Sequence, residues 1–225
     1  MSASVSTDQK PNVAEMVVIH RIFQREFVLM SQLIRQVPEG DVARAQVLAK
    51  YARQLLDGLH QHHAGEDELV WPKLLERATP ERALIERMQA QHHAVADGVQ
   101  RVNEQLAGWE SSADKARGEE LAASIDELRT HLLEHLDEEK QILPLVSQHL
   151  TKPEWDAIGE HARASTPKDQ LPILFGAILE DATPQERALM LEPIPFPIKL
   201  LLRTLGARQY RRYVKEVRGV EPARR

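Results

Sequence analysis

The chain has 225 residues, of which 42% are hydrophobic and only 4% aromatic, and its formal net charge is -5. It contains no cysteine, which excludes disulfides and thiolate metal sites, so any transition metal must be held by histidine and carboxylate. The sequence shows neither a signal-peptide pattern nor an apolar run long enough to cross a membrane. The negative charge gives no general reason to expect nucleic-acid binding. A cytoplasmic protein is therefore expected.

Four stretches with apolar residues at helical spacing follow one another within residues 12–150. Asp41 is a good N-cap for the second stretch, and Pro72 is expected either to bend that helix near residues 64–68 or to restart it. Thr79 begins a Thr-Pro signature that is typical of a helix start. Four amphipathic helices with short links predict an all-α fold, an up-down four-helix bundle.

Beyond residue 150 the pattern changes to shorter helices, with start signatures at Thr151 and Thr183. These helices are too short to build a second large core, so residues 151–225 are predicted to form a smaller helical extension packed on the bundle. From Pro197 to Arg225, nine Lys and Arg residues outnumber two Glu residues. A basic amphipathic helix of this kind can bind nucleic acid, an anionic membrane or a partner, but docking on the acidic bundle is the favoured interpretation.

Six polar residues interrupt the apolar faces of the four bundle helices. His62 and Glu66 lie within about 20° of Leu55 on a helical wheel and therefore point to the core. Shifts of 72 and 73 residues lay the first half of the bundle on the second, so each half carries one His and one His-x-x-x-Glu. A buried imidazole or carboxylate needs a strong partner, and a metal ion satisfies both. The candidate metal ligands are His20, His62, Glu66, His92, His135 and Glu139.

Four neighbouring residues are alternative ligands. His63 and Glu138 lie about 80° from the centre of the apolar stripe, and His93 lies about 100° from His92. The simpler interpretation is that each lies at the edge of the stripe and is not a ligand. His131, one helical turn before His135, is a candidate fifth imidazole.

Imidazole and carboxylate ligands suit iron, manganese or zinc, and two bridging carboxylates suit a pair of ions. Six ligands are fewer than two octahedral ions need. Positions therefore remain for solvent-derived bridges and small exogenous ligands.

The order of these residues, with the strings HHAGEDELVWP and HLDEEKQILP, resembles the hemerythrin-like (HHE cation-binding) domain, including actinobacterial members with a C-terminal helical extension. The resemblance implies a four-helix bundle with a non-haem di-iron centre that is oxo- or hydroxo-bridged. It also implies that Glu66 and Glu139 bridge two Fe ions and that His20, His62, His92 and His135 are terminal ligands. Mn or Zn remains an alternative metal.

Oxygen-carrying hemerythrins have a further His on the third helix, and Ala96 stands at that position here. A more symmetric and more open metal pair resembles the hemerythrin-like subgroup associated with catalase-like peroxide removal. This resemblance implies a di-iron oxidoreductase that decomposes hydrogen peroxide under oxidative stress. The alternatives are a module that binds or senses dioxygen, nitric oxide or iron without turnover, and a metal-stabilised scaffold; the oligomeric state is not predicted.

Overall fold

The computed structural model describes residues 10–220, and within that range every regular element is helical. The all-α prediction is thus confirmed; the N-terminal residues 1–9 and the last two basic residues, Arg224 and Arg225, lie outside the described range. None of the described helices is long and apolar enough to cross a membrane. The helices are α1 (Ala14–Arg35), α2 (Val42–Leu69), α3 (Trp71–Arg77), α4 (Arg82–Trp109), α5 (Lys115–Glu139), α6 (Leu143–His149), α7 (Lys152–Ser165), α8 (Leu171–Glu180), α9 (Pro184–Leu191), α10 (Phe196–Leu201) and α11 (Ala207–Arg218).

The four long helices α1, α2, α4 and α5 form the bundle. Both α2 and α5 pack against α1 and α4. The two helices that carry His-x-x-x-Glu are therefore diagonal to each other, with the two single-His helices between them. This arrangement directs polar residues from all four helices to one level of the interior.

Helix starts and breaks follow from capping and proline chemistry. The Asp41 carboxylate accepts a hydrogen bond from the backbone N–H of Arg44 at 3.0 Å, as a helix N-cap does. Of the two outcomes expected for Pro72, the structure shows the restart and not the bend near residues 64–68: α2 continues to Leu69, and a new helix, α3, begins at Trp71. Pro72 occupies the first turn of α3, where a missing N–H costs no intrahelical hydrogen bond.

The same break recurs in the second half of the bundle. There α5 ends at Glu139 and α6 begins at Leu143, immediately before Pro144. The third bundle helix also starts later than the Thr-Pro signature predicts, since Thr79–Glu81 form a 3-10 turn before α4 begins.

The C-terminal helices pack on one side of the bundle. Helix α7 contacts α2, α8 and α9 contact α1, and α11 contacts α8 and α2. Arg218 of α11 donates to Glu26 of α1 at 2.6 Å and to Glu180 of α8 at 2.7 Å, and Tyr51 of α2 also donates to Glu26 at 2.6 Å. These contacts agree with docking of the basic helix on the bundle, while the division of the chain after residue 150 stays a prediction.

One contact makes the packing of this extension testable. Gly176 of α8 lies against Tyr210 of α11, and a Cβ atom added at Gly176 would overlap that ring. We expect Gly176→Ala to lower the free energy of unfolding by about 1–3 kcal/mol, the usual cost of overpacking. Gly58→Ala is the control, because a Cβ atom there meets nothing within 4 Å. Urea unfolding, followed by circular dichroism, measures the free energy of unfolding of both variants. An equal loss of stability in the two variants, or no loss in Gly176→Ala, would contradict the packing of α8 on α11.

Candidate metal centre

A layer of polar side chains crosses the bundle between two apolar clusters. On α1, His20 lies between Met16, which belongs to one cluster, and Phe23, which belongs to the other. The other three bundle helices repeat this arrangement around their own polar residues. The layer is almost completely buried, since Glu66 and His135 are 0% exposed. Bulk water therefore has little access to form hydrogen bonds with these polar groups.

The four predicted histidines on the apolar stripes form two pairs. The Nε2 atoms of His20 and His62, the α1–α2 pair, are 3.2 Å apart. The Nε2 atoms of His92 and His135, the α4–α5 pair, are 3.3 Å apart. Two imidazole nitrogens bound side by side on one ion, each about 2.1 Å from it, would be separated by about 3 Å. Each pair thus has the spacing of two adjacent ligands of one metal ion.

Both predicted carboxylates span the two pairs. Glu66 Oε1 lies 3.3 Å from His62 Nε2 in the α1–α2 pair, and Glu66 Oε2 lies 3.4 Å from His92 Nε2 in the α4–α5 pair. Glu139 Oε2 lies 3.1 Å from the α1 imidazole and 3.6 Å from the α5 imidazole. The structure therefore brings all six predicted residues together, with each carboxylate within reach of both pairs.

Several buried polar atoms in this layer have no hydrogen-bond partner among the described residues. They include both carboxylate oxygens of Glu66, Glu139 Oε2 and His63 Nε2. Unsatisfied buried polar atoms are rare in folded proteins and call for an explanation such as a bound ion. The donor set, imidazole nitrogens with carboxylate oxygens, is the one that iron, manganese and zinc accept. The residues present thus fit a metal centre.

Burial sets the protonation of most of these groups. It lowers the pKa of His20 to about 3 and that of His135 to about 4, so both imidazoles are neutral, which is the form that binds metal. Burial, reinforced by the neighbouring Glu66 carboxylate, raises the pKa of Glu139. Burial also lowers the pKa of His92, but the hydrogen bond that its ring can donate to the Asp67 carboxylate and the nearby negative charge of Glu66 outweigh it and raise that pKa to about 9. Without a cation, the Glu66 carboxylate therefore disfavours the charged form of Glu139.

Side chains outside the layer orient two of the imidazoles. His92 Nδ1 is 2.9 Å from an oxygen of Asp67, and His135 Nδ1 is 3.2 Å from the amide oxygen of Gln91. Each Nδ1–H can donate to its oxygen, which leaves the Nε2 lone pair free for a metal. The indole of Trp71 lies beside His92, with ring centroids 5.8 Å apart, and limits movement of that ring.

The alternative ligands divide into one inside the layer and three outside it. His63 is buried and stacks on His92, with ring centroids 4.0 Å apart and planes inclined by 8°. His63 joins Glu66, His92 and His135 in one group of closely spaced ligand atoms, although a helical wheel places it at the edge of the apolar stripe. His93 and His131 are exposed, and Glu138 pairs with Arg87 at 3.0 Å near the surface.

Comparison with known families agrees with the geometry of this layer. The sequence model of one protein family, the hemerythrin HHE cation binding domain, matches residues 12–146, which are more than half of the chain. The chain belongs to this family and contains its cation-binding module. Neither the curated proteins nor the solved structures include a significant match to the chain.

The role of the carboxylates can be tested by metal content. We expect Glu66→Ala and Glu139→Ala each to lower the metal bound per chain, because each substitution removes a ligand that reaches both imidazole pairs. Glu138→Ala, which removes the adjacent surface carboxylate, should leave metal content unchanged. Elemental analysis after iron loading measures all three variants. Two ions per chain in Glu66→Ala and Glu139→Ala would contradict the assignment.

The role of His63 needs a separate variant. If the six residues predicted from the sequence suffice, His63→Phe should still bind two ions per chain, because a phenyl ring preserves the stacking on His92. Loss of metal would instead identify His63 as a fifth imidazole ligand. Elemental analysis together with the visible spectrum of the iron-loaded variant distinguishes the two outcomes.

Proposed function

We propose that this chain is a non-haem di-iron protein that decomposes hydrogen peroxide. The observation that carries the proposal is the pairing of the layer: two imidazole pairs, each with the spacing of ligands on one ion, share two carboxylates. Carboxylates that reach both pairs favour two adjacent ions over one. Family membership supports metal binding in this layer, and iron is the metal that we propose.

The proposed ligands leave room at the ions for a small molecule. His20, His62, His92 and His135 would supply one nitrogen each, and the two carboxylates would bridge. Six protein residues cannot complete two octahedral ions, so the remaining positions are open to peroxide. When bound, the metal pair would supply the electron exchange that peroxide decomposition requires. The protein residues would hold neutral imidazoles in place and keep bulk water out of the layer.

A small cavity lies beside His20, one of the proposed ligands. It has a volume of about 170 Å³, and its wall combines polar residues, Arg21, Gln24 and Lys140, with apolar ones, Val17, Leu136 and Leu143. Its size and polar groups suit a molecule such as hydrogen peroxide, which forms hydrogen bonds as water does. We propose that peroxide reaches the layer through this cavity, on the α1–α5 side of the bundle.

The second candidate function is reversible binding or sensing of dioxygen or nitric oxide. The position of His63 favours this function. With His63 as a fifth imidazole ligand, three imidazoles would lie on one side of the layer and two on the other. A link to the extension also favours it, since Arg21, next to His20, donates to Glu186 of α9 at 2.7 Å and 3.1 Å. A ligand-dependent shift of α1 would reach the C-terminal helices through this ion pair.

Oxygen evolution separates the two functions. We expect the iron-loaded protein to release dioxygen from hydrogen peroxide faster than the same concentration of free iron, and Glu139→Ala to lose this excess because one carboxylate ligand is gone. Glu138→Ala should retain it. A Clark electrode measures the rate. Turnover no higher than that of free iron, with stoichiometric binding of dioxygen or nitric oxide in the visible spectrum, would support the sensor and contradict the peroxide proposal.

A further inference from the structure

A second, much larger cavity lies between the bundle and the C-terminal extension. Its volume is about 500 Å³, which is within the range of about 300–1,000 Å³ found for small-molecule sites. Its walls come from α1 and α2 on one side and from α7, α8, α9 and α11 on the other. The cavity therefore exists only because the extension packs on the bundle.

The wall of this cavity is mainly apolar. Ile19 and Phe23 contribute from α1, Leu55 from α2, Ile158 from α7 and Phe175 from α8. Ile19, Ile158 and Phe175 are only partly buried, although they lie between packed helices. Water in contact with such a wall forms few hydrogen bonds, so an apolar molecule that displaces it gains free energy.

The charged groups deep in the wall are already paired. Arg218 donates to Glu26 at 2.6 Å and to Glu180 at 2.7 Å. Of the other charged wall residues, Asp57 and Arg163 are exposed to solvent and opposite in sign, and Glu15 is partly buried without an ion-pair partner among the described residues. Burial raises the pKa of the Glu15 carboxyl and so favours its neutral form. An anionic ligand would therefore find no unpaired cation in the interior of the described wall, and a neutral ligand breaks no ion pair by entering.

One end of the cavity reaches the candidate metal centre. His62 and Gly65 are both wall residues, and Gly65 directly precedes Glu66. His161 of α7 also lines the cavity and packs on Gly65, where its Cδ2 atom would lie 3.3 Å from an added Cβ atom. His161 Nε2 is buried and has no hydrogen-bond partner among the described residues. This nitrogen offers a hydrogen bond to a ligand in a mainly apolar site.

We propose that the cavity binds a neutral, largely apolar organic molecule, with a single oxygen-bearing group directed to the His161 end. Hydrogen peroxide needs no apolar cavity of this size, so the inference goes beyond the proposed function. Binding requires protein atoms only and does not depend on iron or on peroxide turnover. The contact with His62 would place the bound molecule beside the metal layer.

The test uses the full chain and Nile red, a neutral, apolar dye that carries a carbonyl group and fluoresces in apolar surroundings. We expect saturable binding of one dye per chain to metal-free protein. Gly58→Trp should weaken binding about tenfold or more, because Gly58 lines the cavity and a side chain there meets open space. Ala96→Trp, which adds the same side chain at an exposed position of α4, is the matched control and should bind as the unmodified chain does.

Two further variants keep the test decisive. If Gly58→Trp fails to fold by circular dichroism, Ala162→Trp on α7 fills the opposite wall and should weaken binding in the same way. Leu205→Glu changes an exposed apolar position near α10 that is outside the cavity wall. Loss of binding in Leu205→Glu, or unchanged binding in the cavity-filling variants, would overturn the proposal.

Competition defines the chemical class of the ligand. Decan-1-ol, which is neutral and carries one hydroxyl group, should displace the dye at lower concentration than decanoate, which is an anion. His161→Phe should weaken the decan-1-ol competition while it preserves the ring. Equal competition by decanoate would overturn the assignment of a neutral ligand, and an unchanged effect of decan-1-ol in His161→Phe would overturn the role of His161.

Discussion

The burial of two carboxylates next to each other is the constraint on which the rest of this structure depends. Glu66 and Glu139 are 0% and 1% exposed, and their ion-pair partners within 4.0 Å, among the described residues, are imidazoles only. Removing an ionised carboxylate from water costs several kcal/mol unless a strong partner offsets it. The neutral imidazoles of His20 and His135 offset little of that cost. The His92 ring, whose pKa is raised to about 9, supplies a single positive charge for two carboxylates. Metal cations between the two imidazole pairs would supply the missing charge and the missing bonds together, so metal binding and folding stability are coupled in this bundle.

The fold provides what such a centre requires. Apolar clusters on both sides of the layer fix the four helices and keep solvent away. The two helices with His-x-x-x-Glu lie diagonally, so that Glu66 and Glu139 enter the layer from opposite sides. Each of those helices ends within four residues of its glutamate, at a break followed by a proline in the first turn of a short helix. The extension then covers the α1 and α2 side and encloses the larger cavity beside His62.

The sequence was enough to predict the bundle and the polar layer, because both depend on helical periodicity and on an internal repeat. The helix at residues 152–165 could likewise be predicted from its start signature, Thr151-Lys152-Pro153-Glu154, and its capping box is present in the structure. His63 was not predictable in this way. A helical wheel assumes that the core lies in a single direction from the helix axis. Helix α2, however, faces both α1 and α4. His63 can therefore be buried although it lies about 100° away from His62 around the helix. The cavity could not be predicted from the sequence either, because it depends on which faces of four C-terminal helices, α7, α8, α9 and α11, meet the bundle.

The proposed metal pair is tested most directly by anomalous X-ray diffraction at the iron absorption edge from crystals of the iron-loaded protein. We expect two anomalous peaks about 3.5–4 Å apart, as in known two-metal sites. One peak should lie beside His20 and His62 and the other beside His92 and His135, with Glu66 and Glu139 in contact with both. A single peak, or a pair of peaks outside this layer, would contradict it.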